Sequence, residues 1–214
     1  MQFLKPGASV PLILWILCIV TALPSGSFAE VILSEFLAAP GSDWSGDGII
    51  DWRDDEWVEI VNRGDSPVEL GDYWISDSVS DPACRFRFSG VLEPDSLIWV
   101  TGAEARAWQL DMGLGGAGLS LRNSGGEVVL YRDEGEEVIE VSRIDYLTYQ
   151  AEYRRSFGRF PVESEEWVLF DGYNLYHGQQ TPGSTGCMPS PGRENECESL
   201  AVEEADWSRL KQRY

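Results

Sequence analysis

The sequence predicts an all-β protein, an antiparallel β-sandwich of about nine strands, and three observations support this. Short runs of branched and aromatic residues alternate in polarity with period two. Gly, Pro, Asp and Asn punctuate those runs at intervals of about 8 to 15 residues. No long segment carries a 3.6-residue apolar repeat, so long helices are not indicated.

VILSEFL at 31–37 reads as the first strand, ended by Pro40-Gly41. WVEIVN at 57–62 is the second, with Val58 and Ile60 on one face and Trp57, Glu59 and Val61 on the other. Asn62-Arg63-Gly64-Asp65 turns the chain. VELGDYWI at 68–75 is a strand with an irregularity at Gly71-Asp72, and RFRF at 85–88 alternates charge with phenylalanine, as a one-sided sheet requires. SLIWVT at 96–101 follows the turn residues Pro94-Asp95, and EVVLYR at 127–132 follows Asn123-Ser124-Gly125-Gly126; both are hairpin signals. EVIEVSRIDY at 137–146 and EWVLF at 166–170 complete the strands. The glycine-rich run Met112 to Leu121 lacks the strand, helix and lysine that a phosphate-binding loop needs. It reads as tight backbone packing or a flexible loop.

Residues 1–29 read as an export signal. Lys5 precedes an apolar run from Val10 to Leu23, and Ser27-Phe28-Ala29 is a cleavage site that would leave Glu30 first. As a helix the run would cover about 21 Å, short of the ~30 Å hydrocarbon core, so no membrane span is expected after cleavage. The expected division is a signal at 1–29, one β-sandwich domain at 30–186 and an acidic tail at 187–214, which holds an amphipathic turn or two in AVEEADWSRLKQRY.

Thirty-six acidic residues against 16 basic ones give a net charge of −20. Such a surface repels phosphate polyanions, so nucleic acid is not an expected partner. Cys187 and Cys197 enclose a Pro/Gly-rich segment that turns the chain back on itself. In an exported protein this predicts a disulfide, with Cys84 left as a small buried hydrophobe.

The richest stretch is DWSGDGIIDWRD at 43–54. Asp43, Ser45 and Asp47 stand at positions 1, 3 and 5 of a calcium loop, Gly48 at 6, the Ile49 carbonyl at 7, Asp51 at 9 and Asp54 at 12. Alternate side chains there converge on one cation while Gly48 permits the sharp turn, and Ile50 is expected to anchor the loop in the core. Ser45 and Asp54 are weaker ligands than the usual Asp/Asn and bidentate Glu, so modest Ca2+ affinity is expected. The alternative is a solvated acidic turn. Adjacent carboxylates at Asp54-Asp55-Glu56, Glu136-Glu137 and Glu165-Glu166 read as solvated charge, since acids are abundant. The lone His177 has no identifiable partner for a triad or a zinc site and reads as a surface residue. Trp57, Trp74, Trp99 and Trp167 fall in strands and are expected in the core, whereas Trp44 and Trp52 lie in the acidic loop, with at least one exposed. Arg154, Arg155 and Arg159 form a local reversal of charge that either pairs with acids of the same domain or marks a contact surface.

SEFLAAP, DEWVEIVN, VELGDYWISD, GLSLRNSGGEVVLYR, SFGRFP and WVLF ahead of TPGS, in that order from Val31 to Ser184, resemble the lamin tail domain. The resemblance implies an immunoglobulin-like β-sandwich and a binding or structural module found in secreted and surface proteins, at times beside hydrolases. The resulting expectation is a secreted, periplasmic or cell-surface calcium-binding module with no catalytic residues, which binds a protein or glycan of the cell envelope or serves assembly. A calcium-dependent, nuclease-like extracellular hydrolase is the alternative, distinguished by a deep pocket of converging polar groups.

Overall fold

The computed structural model describes residues 31–80 and 82–197. The expected export signal and the chain beyond Cys197 lie outside the described residues. Eleven strands are present among them: β1 (Val31–Leu37), β2 (Trp57–Asn62), β3 (Val68–Glu69), β4 (Tyr73–Ser76), β5 (Phe86–Arg87), β6 (Val91–Leu92), β7 (Leu97–Thr101), β8 (Gly125–Asp133), β9 (Val138–Leu147), β10 (Ser156–Arg159) and β11 (Trp167–Phe170). They form an antiparallel five-stranded sheet, β11-β10-β1-β2-β7, a four-stranded sheet, β5-β4-β8-β9, and the small ladder β3-β6.

The core lies between the two larger sheets. Alternation aims Val58 and Ile60 of β2 inward, against Ile75, Val128 and Leu130 of the second sheet, all 0% exposed. Phe36 of β1 meets the Tyr146 ring of β9 at 4.7 Å. The Leu33 amide also donates across the sandwich to Ser142 Oγ at 3.2 Å.

An irregularity in β1 sets the direction of Glu35. Leu33 pairs with Ile60 but Glu35 pairs with Glu59, so Ser34 is an extra residue in the strand. This β-bulge lets Leu33 and Phe36 both enter the core while Glu35 faces outward beside Glu59. The outer face is itself covered, so every residue of β1 and β2 is buried.

The structure departs from the expected elements at four places, the first being the short strand β6 at Val91–Leu92, which pairs with β3. The stretch 68–75 divides into β3 and β4, separated by a turn at Gly71-Asp72. Ser156–Arg159 forms a strand with its arginine buried. A ten-residue helix, α1 (Gly102–Asp111), follows β7 directly. Thr101 and Glu104 start it as a capping box: Thr101 Oγ1 accepts from the Glu104 amide at 3.2 Å, and Glu104 Oε2 accepts from the Thr101 amide at 2.8 Å. Its first residue must be glycine, because a Cβ at Gly102 would sit 1.7 Å from the Arg53 carbonyl oxygen.

The acidic loop as a candidate site

The loop between β1 and β2 is built from carboxylates that accept its own backbone N–H groups. Asp43 accepts from Gly46 (2.7 Å) and Gly48 (2.8 Å), with the Ser45 hydroxyl at 3.4 Å. Asp47 accepts from Ile49 at 2.8 Å. Asp51 accepts from Arg53 (2.8 Å) and Asp54 (3.1 Å). The chain turns through positive φ at Gly46 (77°) and Gly48 (87°), where a side chain would be strained. The Gly48 amide holds Asp43 below the usual carboxylate range, and the Arg53 amide does the same for Asp51, so both carry full charge near neutrality. Asp54 points the other way, with Oδ1 3.1 Å from the Arg106 guanidinium of α1; the approach is an ion pair without hydrogen-bond alignment.

Asp55 organises the whole loop. Fully buried, it accepts from the Trp44 and Ser45 amides through Oδ1 (2.8 and 2.7 Å) and from the Asp51 amide through Oδ2 (2.7 Å). Its neighbour Glu56, 1% exposed, accepts from the Ser120 and Leu121 amides at 2.6 and 3.0 Å and ties the glycine-rich stretch to β2. Burial pushes the Glu56 carboxyl up to about 8 against those two amides. These two residues correct the expectation of solvated charge at 54–56, because each satisfies N–H groups of a second segment. A signal was readable: Asp55 and Glu56 run directly into a strand whose two faces both carry apolar residues.

Ile50 is a second correction. It does not enter the core but is 59% exposed, as Ile49 and Trp52 are at 64%. The anchor is Trp44, whose ring packs edge-on against Trp57 (6.1 Å) and Trp99 (6.5 Å) on the outer face of the first sheet. Trp57 is thus fully buried outside the main core, and Trp74 stacks on Tyr131 at 4.5 Å on the outer face of the second sheet. Ile50 and Trp52 instead line an open groove of about 420 Å³ together with Pro40, Ala151 and Tyr153.

The six sequence-predicted ligands Asp43, Ser45, Asp47, Ile49, Asp51 and Asp54 therefore lie on one loop. Yet among the described residues no three Asp, Glu, His or Cys side chains come together as a metal-holding group. Arg155 and Arg159 turn inward, 1% and 5% exposed. Arg155 donates to the Tyr149 and Asn174 carbonyls, and Arg159 to those of Leu33 and Ser164 and to Glu165. His177 is exposed. Cys187 and Cys197 are bonded, while Cys84 is free and half-buried, its thiol pushed up by burial.

A lamin tail domain family model matches residues 24–147. The chain belongs to the lamin tail domain family. That domain is an immunoglobulin-like β-sandwich, in agreement with the two packed antiparallel sheets here, and the family is in general non-enzymatic. The match ends with β9, so β10 and β11, which complete the first sheet, lie beyond it. No curated protein and no solved structure matches the chain. No helix among the described residues of this lamin tail domain protein is long and apolar enough to cross a membrane.

Proposed function

We propose that this lamin tail domain protein is an exported, non-catalytic module that binds calcium through the 43–54 loop and serves in binding or assembly at the cell envelope. The observation that carries the reading is the loop's internal order. Asp43, Asp47 and Asp51 occupy calcium-loop positions and accept the backbone N–H groups of Gly48, Ile49 and Arg53 in turn, leaving carboxylate oxygens along an exposed loop. Hard oxygen donors of this kind suit Ca2+. Binding gathers the carboxylates further and draws Asp54 from Arg106, a competition that keeps affinity modest.

Support for a module rather than an enzyme is the apolar core packed between the two sheets, with grooves of about 420 to 570 Å³ lined largely by loop residues rather than by the core. The test is calorimetric titration of calcium together with melting in chelator and in millimolar calcium. Free metal at 100 times the dissociation constant adds about 2.7 kcal/mol of stability. Asp47→Ala is expected to abolish the difference between the two melts while leaving the chain folded. Identical wild-type melts in chelator and calcium would remove the metal from the proposal.

A further inference from the structure

The outer face of the first sheet carries two buried carboxylates that the loop does not use. Glu35 and Glu59 are direct cross-strand partners, 1% and 0% exposed. They are covered by the segment 187–197, closed at its ends by the Cys187–Cys197 bond. Asp171, also fully buried, brings this strap into place by accepting from the Tyr176 and Gly186 amides at 2.7 and 2.8 Å, and the Gly172 amide donates to the Cys187 carbonyl at 2.7 Å.

The strap is held to the sheet through the two carboxylates. The Ser190 amide lies 3.3 and 3.4 Å from the two oxygens of Glu35, and the Ser190 hydroxyl lies 2.9 Å from Oε2. That hydroxyl is also 3.0 Å from Asn195 Oδ1, so its single proton serves one acceptor or the other. The Gly192 amide donates to Glu59 Oε2 at 2.6 Å. Gly192 has φ 74°, and a Cβ there would come within 3.0 Å of the Trp99 indole nitrogen, so only glycine lets the strap approach this closely. Asn195 donates to the Arg159 carbonyl at 2.9 Å.

Charge is not balanced beneath the strap. Glu59 Oε1 is buried without a hydrogen-bond partner; Ser34 is near enough to favour its charge slightly but not at hydrogen-bonding geometry. Arg159 of β10 is committed to the Leu33 and Ser164 carbonyls and to Glu165. On the strap, Arg193 attracts Glu35 from an exposed position, and Glu194 and Glu196 add negative charge. Two facing carboxylates shielded from water cannot both ionise cheaply.

We propose that residues 187–197 form a proton-operated latch, closed over the outer face of the first sheet while the Glu35–Glu59 pair retains protons and released when both carboxylates ionise. Burial raises Glu35 to about 7 and, with the Glu35 charge adding to it, Glu59 to about 8. Both lie above the 4.5 of an exposed glutamate, so closure is strongest in acid and is lost as pH rises through about 7 to 8. The disulfide limits how far the released strap travels, and release uncovers Trp99 and two negative charges.

The test is hydrogen exchange of the intact, oxidised protein at pH 6 and pH 9, corrected for the intrinsic pH dependence of exchange. Protection of the Ser190 and Gly192 amides is expected to fall on the order of 100-fold from Glu59 alone, while the Val58 and Ile60 amides of the core keep theirs. Glu59→Gln keeps an oxygen for the Gly192 amide and places its NH2 where no partner is displaced; it is expected to restore at least tenfold of the protection at pH 9. Residue-assigned carboxyl 13C titration of the wild type supplies a second readout that needs no variant: Glu35 and Glu59 are expected to titrate above 6.5, as is Glu56, which lies away from the strap beneath the Ser120 and Leu121 amides. Strap protection unchanged between pH 6 and pH 9, or Glu35 and Glu59 titrating near 4.5, overturns the latch.

Discussion

Removing the Asp55 carboxylate is the sharpest perturbation of the acidic loop, because one buried side chain there satisfies three backbone amides from two segments. In Asp55→Ala the Trp44, Ser45 and Asp51 amides lose a charged acceptor. A hydrogen bond to a charged group contributes about 1.5 to 3 kcal/mol, but water reaches part of the emptied site, so a net loss of about 3 to 6 kcal/mol is expected. For a domain of this size that lowers Tm by on the order of 10 °C. Asp55→Asn is the informative companion. Its oxygen can still accept from Trp44 and Ser45, but its amide nitrogen faces the Asp51 N–H donor to donor, so about 1.5 to 3 kcal/mol is lost. Urea unfolding in excess chelator measures both variants without any contribution from metal. Asp55→Ala within 1 kcal/mol of wild type, or Asn as damaging as Ala, would refute the assignment of the loop's integrity to this carboxylate.

Two further outcomes are expected. Replacing both Cys187 and Cys197 by serine frees a short loop and costs about 2 to 3 kcal/mol on the chain-entropy scale, read as a lower urea midpoint; an unchanged midpoint would show that the strap's other contacts suffice. Edman or mass analysis of the exported protein is expected to begin at Glu30, and recovery of an intact Met1 in the membrane fraction would contradict the processing read from Ser27-Phe28-Ala29.

Local pattern made much of this protein legible. Period-two alternation located β1, β2, β4, β7, β8, β9 and β11 to within a few residues, because the side of a strand on which a residue lies is a property of the strand itself. The turn at Gly48 and the cysteine pair were equally local, since a positive φ and a short loop closure depend on few neighbours. The helix α1 was hidden because it has only ten residues and a weak apolar face, although its cap, Thr101 to Glu104, was present in the chain. Which outward-facing residues are buried was decided by tertiary structure alone. Glu35 meets Ser190 across 155 positions, and Glu56 meets Leu121 across 65. Alternation assigns Glu59 to the face opposite Ile60, but only the returning strap removes that face from water and turns an ordinary exposed glutamate into one that holds its proton to about pH 8. Ile50 shows the converse, an apolar residue left in solvent because Trp44 took the place against Trp57 and Trp99. Burial belongs to pairs of distant segments, and no window of the sequence contains both members of such a pair.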